Sequence, residues 1–321
     1  MSPYNTPILP VKKSDGTYRL VQDLRAINRI VQVRHPVVPN PYTILSKVPN
    51  EHKFFSVIDL KDAFWACPLA PNSRDLFAFE WEDPKTGRKQ YRWMVLPQGY
   101  TESPNLFGQA LEKVLEQFRV TKGSSLLQYV DDLLVSGENQ GEVERITNKL
   151  LNFLGEQGLG VSRNKLQYVE KEVKYLGHLI SEGKRRISPE RIAGILAIKN
   201  PKTKRELRKF LGLIGYCRLW IDMYAQKTKG LYLKLLEEEP NILKWTDEEV
   251  KQVEDLKKAR MTAPVLALPS LEKPFHLFAT ADKGTTLRVL TKKLGDKRQP
   301  IAFLSKILDP VSRGGQNVFK Q

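Results

Sequence analysis

The chain is predicted to be α/β in the broad sense (α+β), with short strands and amphipathic helices alternating around a core. Three observations carry that reading. Residues 54–59, FFSVID, form a β-branched and aromatic run that ends on an acid. FAFEW at 77–81 and YRWMV at 91–95 are strand-like runs joined by Asp83-Pro84-Lys85-Thr86-Gly87, the pattern of a hairpin with a longer loop. Residues 104–119 open with Pro104 and place Leu106, Phe107, Ala110, Leu111, Val114, Leu115 and Phe118 at helical spacing. Strands and helices mixed in this order build layered cores.

The remaining segments fit the same class. Residues 1–50 read as short strands and loops, with Ser14-Asp15-Gly16 as a turn. LLQYV and LLVS, within 126–136, flank the paired acids Asp131-Asp132. Residues 142–158 read as an amphipathic helix stopped at Gly158, and VKYLGHLI at 173–180 as a further strand. From about residue 184 the character changes. Residues 203–221 carry Leu207, Phe210, Leu211, Ile214 and Ile221 on one helical stripe, with Lys202, Arg205 and Lys209 opposite, near Tyr216. From residue 241 a helix at 246–261 and strands at 274–280 and 286–290 make a separate small unit.

Composition narrows the function classes. Hydrophobic residues at 41% and charged residues at 27% exclude wholesale disorder, and 321 residues suffice for two or three domains. Two cysteines, Cys67 and Cys217, exclude a disulfide scaffold, and with four histidines they leave no zinc-finger spacing. The N-terminal residues lack the apolar run of a signal peptide, and no stretch approaches the ~18 apolar residues of a membrane span. An intracellular protein with no membrane partner is expected. The formal charge of +16 favours a polyanion, of which nucleic acid is the commonest. Residues 184–218 hold eleven basic residues against two acids, so more than half of the surplus lies in one segment.

Asp131-Asp132 is the sharpest local feature. Two adjacent carboxylates repel each other unless a cation lies beside them. Alone, the pair reads more readily as a plain hairpin turn, because Asp is a favoured turn residue. A second strand ending on an acid, Asp59, changes the balance: two strand-terminal acids can converge at one sheet edge. Oxygen ligands of this kind suit Mg²⁺, which takes one or two carboxylates together with substrate phosphates. In a basic protein that points to phosphoryl transfer.

At this point the motifs acquire a family. VIDLKDAF (Val57–Phe64), LPQG (Leu96–Gly99) and YVDD (Tyr129–Asp132) together resemble retroviral reverse transcriptases. PYNTPILPVKK, YRLVQDLRAIN, VKYLGHLI and RKFLGLIGYCRLWI, in collinear order, resemble the gammaretrovirus-type Pol protein and its endogenous copies. The resemblance implies a right-hand polymerase. Its fingers (partial) and palm would span 1–182, the thumb 183–240, and a ribonuclease H-like connection 241–321. The N-terminal part of the fingers and the catalytic ribonuclease H domain are expected to be missing, so no nuclease activity is expected of this chain.

The resemblance also assigns roles. Asp59, Asp131 and Asp132 match a catalytic triad holding two Mg²⁺, with Mn²⁺ as a substitute. Phe64 matches an aromatic gate against the ribose 2′-hydroxyl. Lys13 and Arg19 match the cations that hold the incoming triphosphate, and Gln98 the residue beside the nascent base pair; Tyr129 and Val130 complete the substrate side. Tyr175, Leu176 and Gly177 fall on the primer-gripping hairpin, and Lys202, Arg205 and Lys209 on a thumb helix lying against the duplex. The implied activity is RNA-directed DNA synthesis from dNTPs on an RNA or DNA template–primer, by a monomer in the cytoplasm or virion core. Two rival readings stand beside it: a catalytically impaired endogenous relic that binds nucleic acid, and a scaffold used by a host. Arg288, in TLRVL, is expected to be costly if that strand is buried.

Overall fold

Residues 1–13, 16–32, 40–236, 241–259, 264–282 and 284–309 are described by the structure, a computed structural model. The expected turn at Ser14-Asp15, the end of the 246–261 helix at Arg260-Met261, and Lys283 lie outside the described residues. In chain order the elements begin with β1 (Ile8–Lys12), β2 (Tyr18–Gln22), α1 (Arg25–Ile30), α2 (Pro41–Leu45) and β3 (Phe54–Asp59). They continue with β4 (Ala78–Asp83), β5 (Gly87–Arg92), α3 (Ser103–Leu115), β6 (Ser124–Tyr129), β7 (Asp132–Gly137), α4 (Gln140–Glu156) and β8 (Gln167–Glu170). The chain divides into two compact units, residues 1–44 with 52–171, and residues 45–51 with 172–321.

In the first unit β6, β7, β3 and β8 form one antiparallel sheet in that order. Strand alternation sorts its side chains. Ile58 pairs with Leu133, and Ser56 with Val135; this face packs on Phe107 and Leu111 of α3 and on Val143, Ile146 and Leu150 of α4. Thr147 of α4 donates to Ser56 Oγ at 2.9 Å, which satisfies two polar groups inside that core. Asp59 and Asp132, one residue out of phase, therefore lie on the other face, directly opposite each other in the ladder. Asn139 caps α4 by accepting from the Glu142 N–H, a contact worth about 1 kcal/mol. Gly158, at φ +74, stops the helix, as expected.

Several boundaries differ from the sequence reading, each for a local reason. The β4–β5 hairpin closes tightly at Asp83↔Gly87, because Asp83 Oδ1 accepts from the N–H groups of Lys85 and Thr86; β5 therefore starts at Gly87, ahead of the expected Tyr91, and it ends at Arg92. Helices α1 and α2 occupy a region expected to hold only strands and loops.

The second unit holds β9 (Val173–Tyr175), β10 (His178–Ser181), β11 (Lys184–Ile187), α5 (Pro189–Leu196), α6 (Lys204–Gly215), α7 (Tyr224–Leu236) and α8 (Asp247–Lys258). It ends with β12 (Leu266–Ala267), β13 (Phe275–Asp282), β14 (Thr285–Leu294) and β15 (Lys297–Ile307). The expected strand at 173–180 is a hairpin, broken by left-handed Leu176 and Gly177. The predicted stripe is real: Leu207, Phe210, Leu211, Ile214 and Ile221 are all buried, with Leu231 of α7 and Val253 and Leu256 of α8. The helix itself ends at Gly215, so Lys202 precedes it and Ile221 follows it. Lys234 Nζ sits 2.9 Å from both Glu249 carboxylate oxygens, tying α7 to α8. β13, β14 and β15 form an antiparallel sheet whose third strand the sequence reading missed. Arg288 is exposed on β14, so the feared burial cost does not arise.

Candidate active site

A cleft of about 530 Å³ opens in the first unit at the edge where β3 ends. Asp59 and Asp131 line it, with Lys13, Arg19, Phe64 and Gln98. Six of the residues singled out from sequence, drawn from four separate segments, thus share one cavity. Asp131 occupies the β6–β7 turn with Val130. Val130 has φ +56, an outlier for a β-branched residue that costs on the order of 1 kcal/mol. The turn is held by Gln128 Nε2, which donates to the carbonyls of Val130 (3.1 Å) and Gly108 (2.9 Å). Asp132 begins β7 and pairs with both Tyr129 and Asp59. Tyr129, Val130 and Asp132 flank Asp131 on the β6–β7 hairpin and are not among the residues that line the cleft.

The electrostatics show that the acids share a field. Burial, reinforced by the charge of Asp59, raises the Asp131 pKa. Burial and the charges of Asp131 and Asp59 push Asp132 up to about 6. Lys165 opposes both shifts. Its Nζ lies 3.1 Å from each carboxylate oxygen of Asp59. Among the described residues no three Asp, Glu, His or Cys side chains converge into a ready-made metal cage. The Asp59 carboxylate is engaged with Lys165 instead. The donor chemistry nonetheless fits a hard divalent cation: clustered carboxylates that are costly to charge together, with an ammonium already recruited beside one of them.

These shifts set a pH dependence. The fold favours the proton-bound form of Asp132, so its stabilising contribution is fully present below the unfolded value of 3.8 and is lost as pH rises through about 6. Asp132→Asn is therefore expected to melt close to wild type near pH 4 and above it at pH 7, in metal-free buffer. A difference in Tm that stays flat across this range counts against the shared field.

Other side chains line the cleft and brace one another. Arg19 donates from Nε to Gln98 Oε1 at 2.8 Å and makes a second, very short contact from its terminal amino group. Phe64 sits in a short 3₁₀ turn, Ala63–Ala66, and its ring stands edge-on to buried Phe107, with centroids 5.9 Å apart. Sequence reasoning missed Lys165, Trp65 and Trp93. The two indoles lie 6.0 Å apart on the cleft wall, and Trp93 Nε1 donates to Gln22 at 2.7 Å. The two tryptophans were visible as aromatic neighbours of known motifs. Lys165 had no local signal, since it reaches Asp59 across 106 positions of sequence.

In the second unit, Lys202, Arg205 and Lys209 are exposed, while Lys204 beside them is buried. Leu176 and Gly177 form the tip of the β9–β10 hairpin. Tyr175 is different: its ring is 2% exposed and belongs to the core, so it offers no side-chain surface to a ligand.

Strand-edge carboxylates, cations and an aromatic wall thus meet in one cleft beside the β6–β7–β3–β8 sheet. Residues 11–180 match the family described as reverse transcriptase (RNA-dependent DNA polymerase), and residues 245–320 match the RNase H-like domain found in reverse transcriptase. The chain belongs to the reverse transcriptase family. It is 49% identical to the Gag-Pol polyprotein of Woolly monkey sarcoma virus, over 99% of this chain and 19% of that one. To the Gag-Pol polyprotein of Avian reticuloendotheliosis virus it is 48% identical, over 98% of this chain and 27% of the other. The chain thus spans about a fifth to a quarter of these relatives. Among solved structures it resembles a foamy viral protease–reverse transcriptase in complex with double-stranded DNA (TM-score 0.86, 32% identity, 97% of this chain and 52% of that one). It also resembles the same enzyme with an RNA/DNA hybrid (TM-score 0.84, 31% identity, 99% and 43%).

Proposed function

We propose that the chain is an RNA-directed DNA polymerase acting on an RNA or DNA template–primer. The observation that carries this reading is the convergence of Asp59 and Asp131 with Lys13, Arg19, Gln98 and Phe64 on one cleft, backed by Asp132 opposite Asp59. The foamy viral relatives were captured on duplex DNA and on hybrid, which supports a nucleic-acid partner here. We assign residues 1–182 to fingers and palm, 183–240 to the thumb and 241–321 to the connection, and take the protein as a monomer of the cytoplasm or virion core. Among the described residues no helix is long and apolar enough to cross a membrane.

In the proposed reaction a primer 3′-oxygen attacks the α-phosphorus of a dNTP, a new P–O bond forms, and pyrophosphate leaves. Arg19 exchanges its neutral acceptor, Gln98, for charged phosphate oxygens, a stronger partner for a guanidinium. Lys13 adds a second cation. Gln98, released, faces the templating pair. The Phe64 ring, braced by Phe107, fills the space that a 2′-hydroxyl needs. Asp59, Asp131 and Asp132 would hold two Mg²⁺, or Mn²⁺ in their place. When bound, these ions lower the pKa of the attacking hydroxyl and offset charge on the triphosphate. Catalysis by the chain itself is positioning and charge placement.

Primer extension on an RNA template with Mg²⁺ or Mn²⁺ tests the reading. Incorporation supports it; salt-sensitive duplex binding without incorporation favours the binding relic. The exposed face of α6 gives a separate expectation. Reversing charge at Arg205 and Lys209 together should weaken template–primer binding equally across sequences. It should also flatten the slope of log affinity against log salt by about 2. An unchanged slope would return that face to solvent.

A further inference from the structure

The tip of the β9–β10 hairpin is strained and doubly held. Leu176 adopts φ +49, uncommon for a leucine, and Gly177 follows at φ +78. Such strain persists only where the surroundings over-determine it. Here the Leu176 carbonyl accepts a hydrogen bond from the Tyr216 hydroxyl at 3.0 Å. The same carbonyl lies 3.0 Å from His178 Nδ1, which must carry its proton there, because a carbonyl only accepts. Tyr216, the residue that closes α6, is itself fixed: the Arg191 guanidinium lies 3.9 Å from its ring centroid and the His178 ring 5.7 Å away. A Cβ at position 177 would collide with the Tyr216 hydroxyl, so glycine is required there by close approach as well as by φ. The ring of Tyr216 accounts for packing. Its hydroxyl does something else: it ties the end of a helix to the backbone of an exposed turn.

We propose that Tyr216 is a positioning residue for the primer end. Its hydroxyl holds the Leu176-Gly177 turn at one height, so that the turn meets the terminal nucleotide of the primer in a single register. This rests on the reading that the chain is a polymerase whose β9–β10 turn grips the primer.

Tyr216→Phe removes one oxygen and keeps both ring contacts. The full chain is bound to template–primer duplexes carrying 2-aminopurine either at the primer 3′ end or well back in the duplex. Tm is expected to fall by no more than about 4 °C, duplex affinity to stay within about twofold of wild type, and the inner probe to be unmoved. The terminal probe should change its emission, and where extension is measured kcat should fall roughly fivefold to tenfold with little change in the KM for dNTP. Gly177→Ala, which pushes the same turn away with the hydroxyl intact, should move the same probe and spare the inner one. Terminal emission identical to wild type in Tyr216→Phe overturns the assignment, as does an equal change at both probes. A wild-type chain that binds the duplex without extending it refutes the polymerase reading alone, and the terminal probe still decides for or against Tyr216. A wild-type chain that binds no duplex overturns both.

Discussion

Asp131→Asn is expected to lower primer extension by at least about a thousandfold, the kinetic equivalent of roughly 4 kcal/mol of lost transition-state stabilisation. The side chain keeps its size, and the backbone contact from Leu60 N–H to the Asp131 carbonyl, 3.3 Å, is untouched. What goes is one negative charge and one anionic oxygen on the cleft wall. The same charge raises the pKa of Asp132. Its removal relieves repulsion, so the metal-free variant should melt at or above the wild-type temperature near pH 7. That pairing separates a chemical role from a structural one: activity collapses while stability holds or rises. Duplex affinity measured without dNTP should stay within about twofold. Extension at more than a tenth of the wild-type rate would remove Asp131 from the chemistry and with it the proposed arrangement of the cleft.

Phe64→Val should admit ribonucleotides. The phenyl ring lines the cleft and rests edge-on against Phe107, which is 2% exposed and cannot yield, so the ring acts as a fixed wall. Valine withdraws that wall by several carbon atoms. Apolar pockets discriminate substituents of hydroxyl size by on the order of a hundredfold, and a gain of that order for rNTP over dNTP is expected. The comparison is the ratio of kcat/KM for dNTP and rNTP in both proteins, which cancels any general loss of rate. An unchanged ratio would make Phe64 an ordinary core aromatic packed on α3.

Much of this was legible before any coordinates. FFSVID had to be a strand, because its β-branched and aromatic run suits a half-buried pleat, and period-two alternation then set Asp59 on the face opposite Ile58. The apolar runs around Asp131-Asp132 implied a hairpin, and the stripe from Leu207 to Ile214 implied a buried helix face with cations outside. The motifs in collinear order carried the family.

Other features are set only by tertiary structure. Register is one: Asp59 pairs with Asp132 rather than Asp131, because the turn takes Val130 and Asp131 and leaves Asp132 as the first residue of β7. Lys165 is another, reaching Asp59 from a short 3₁₀ turn, Arg163–Lys165, far along the chain. The burial of the Tyr175 side chain and the exposure of Arg288 are likewise tertiary facts. The dividing line is physical. Local sequence determines which face of an element is apolar, since that depends on the spacing of neighbouring residues. Which face meets solvent, and which charge meets which, depends on pairings between segments far apart in the chain, and these exist only once the chain has folded.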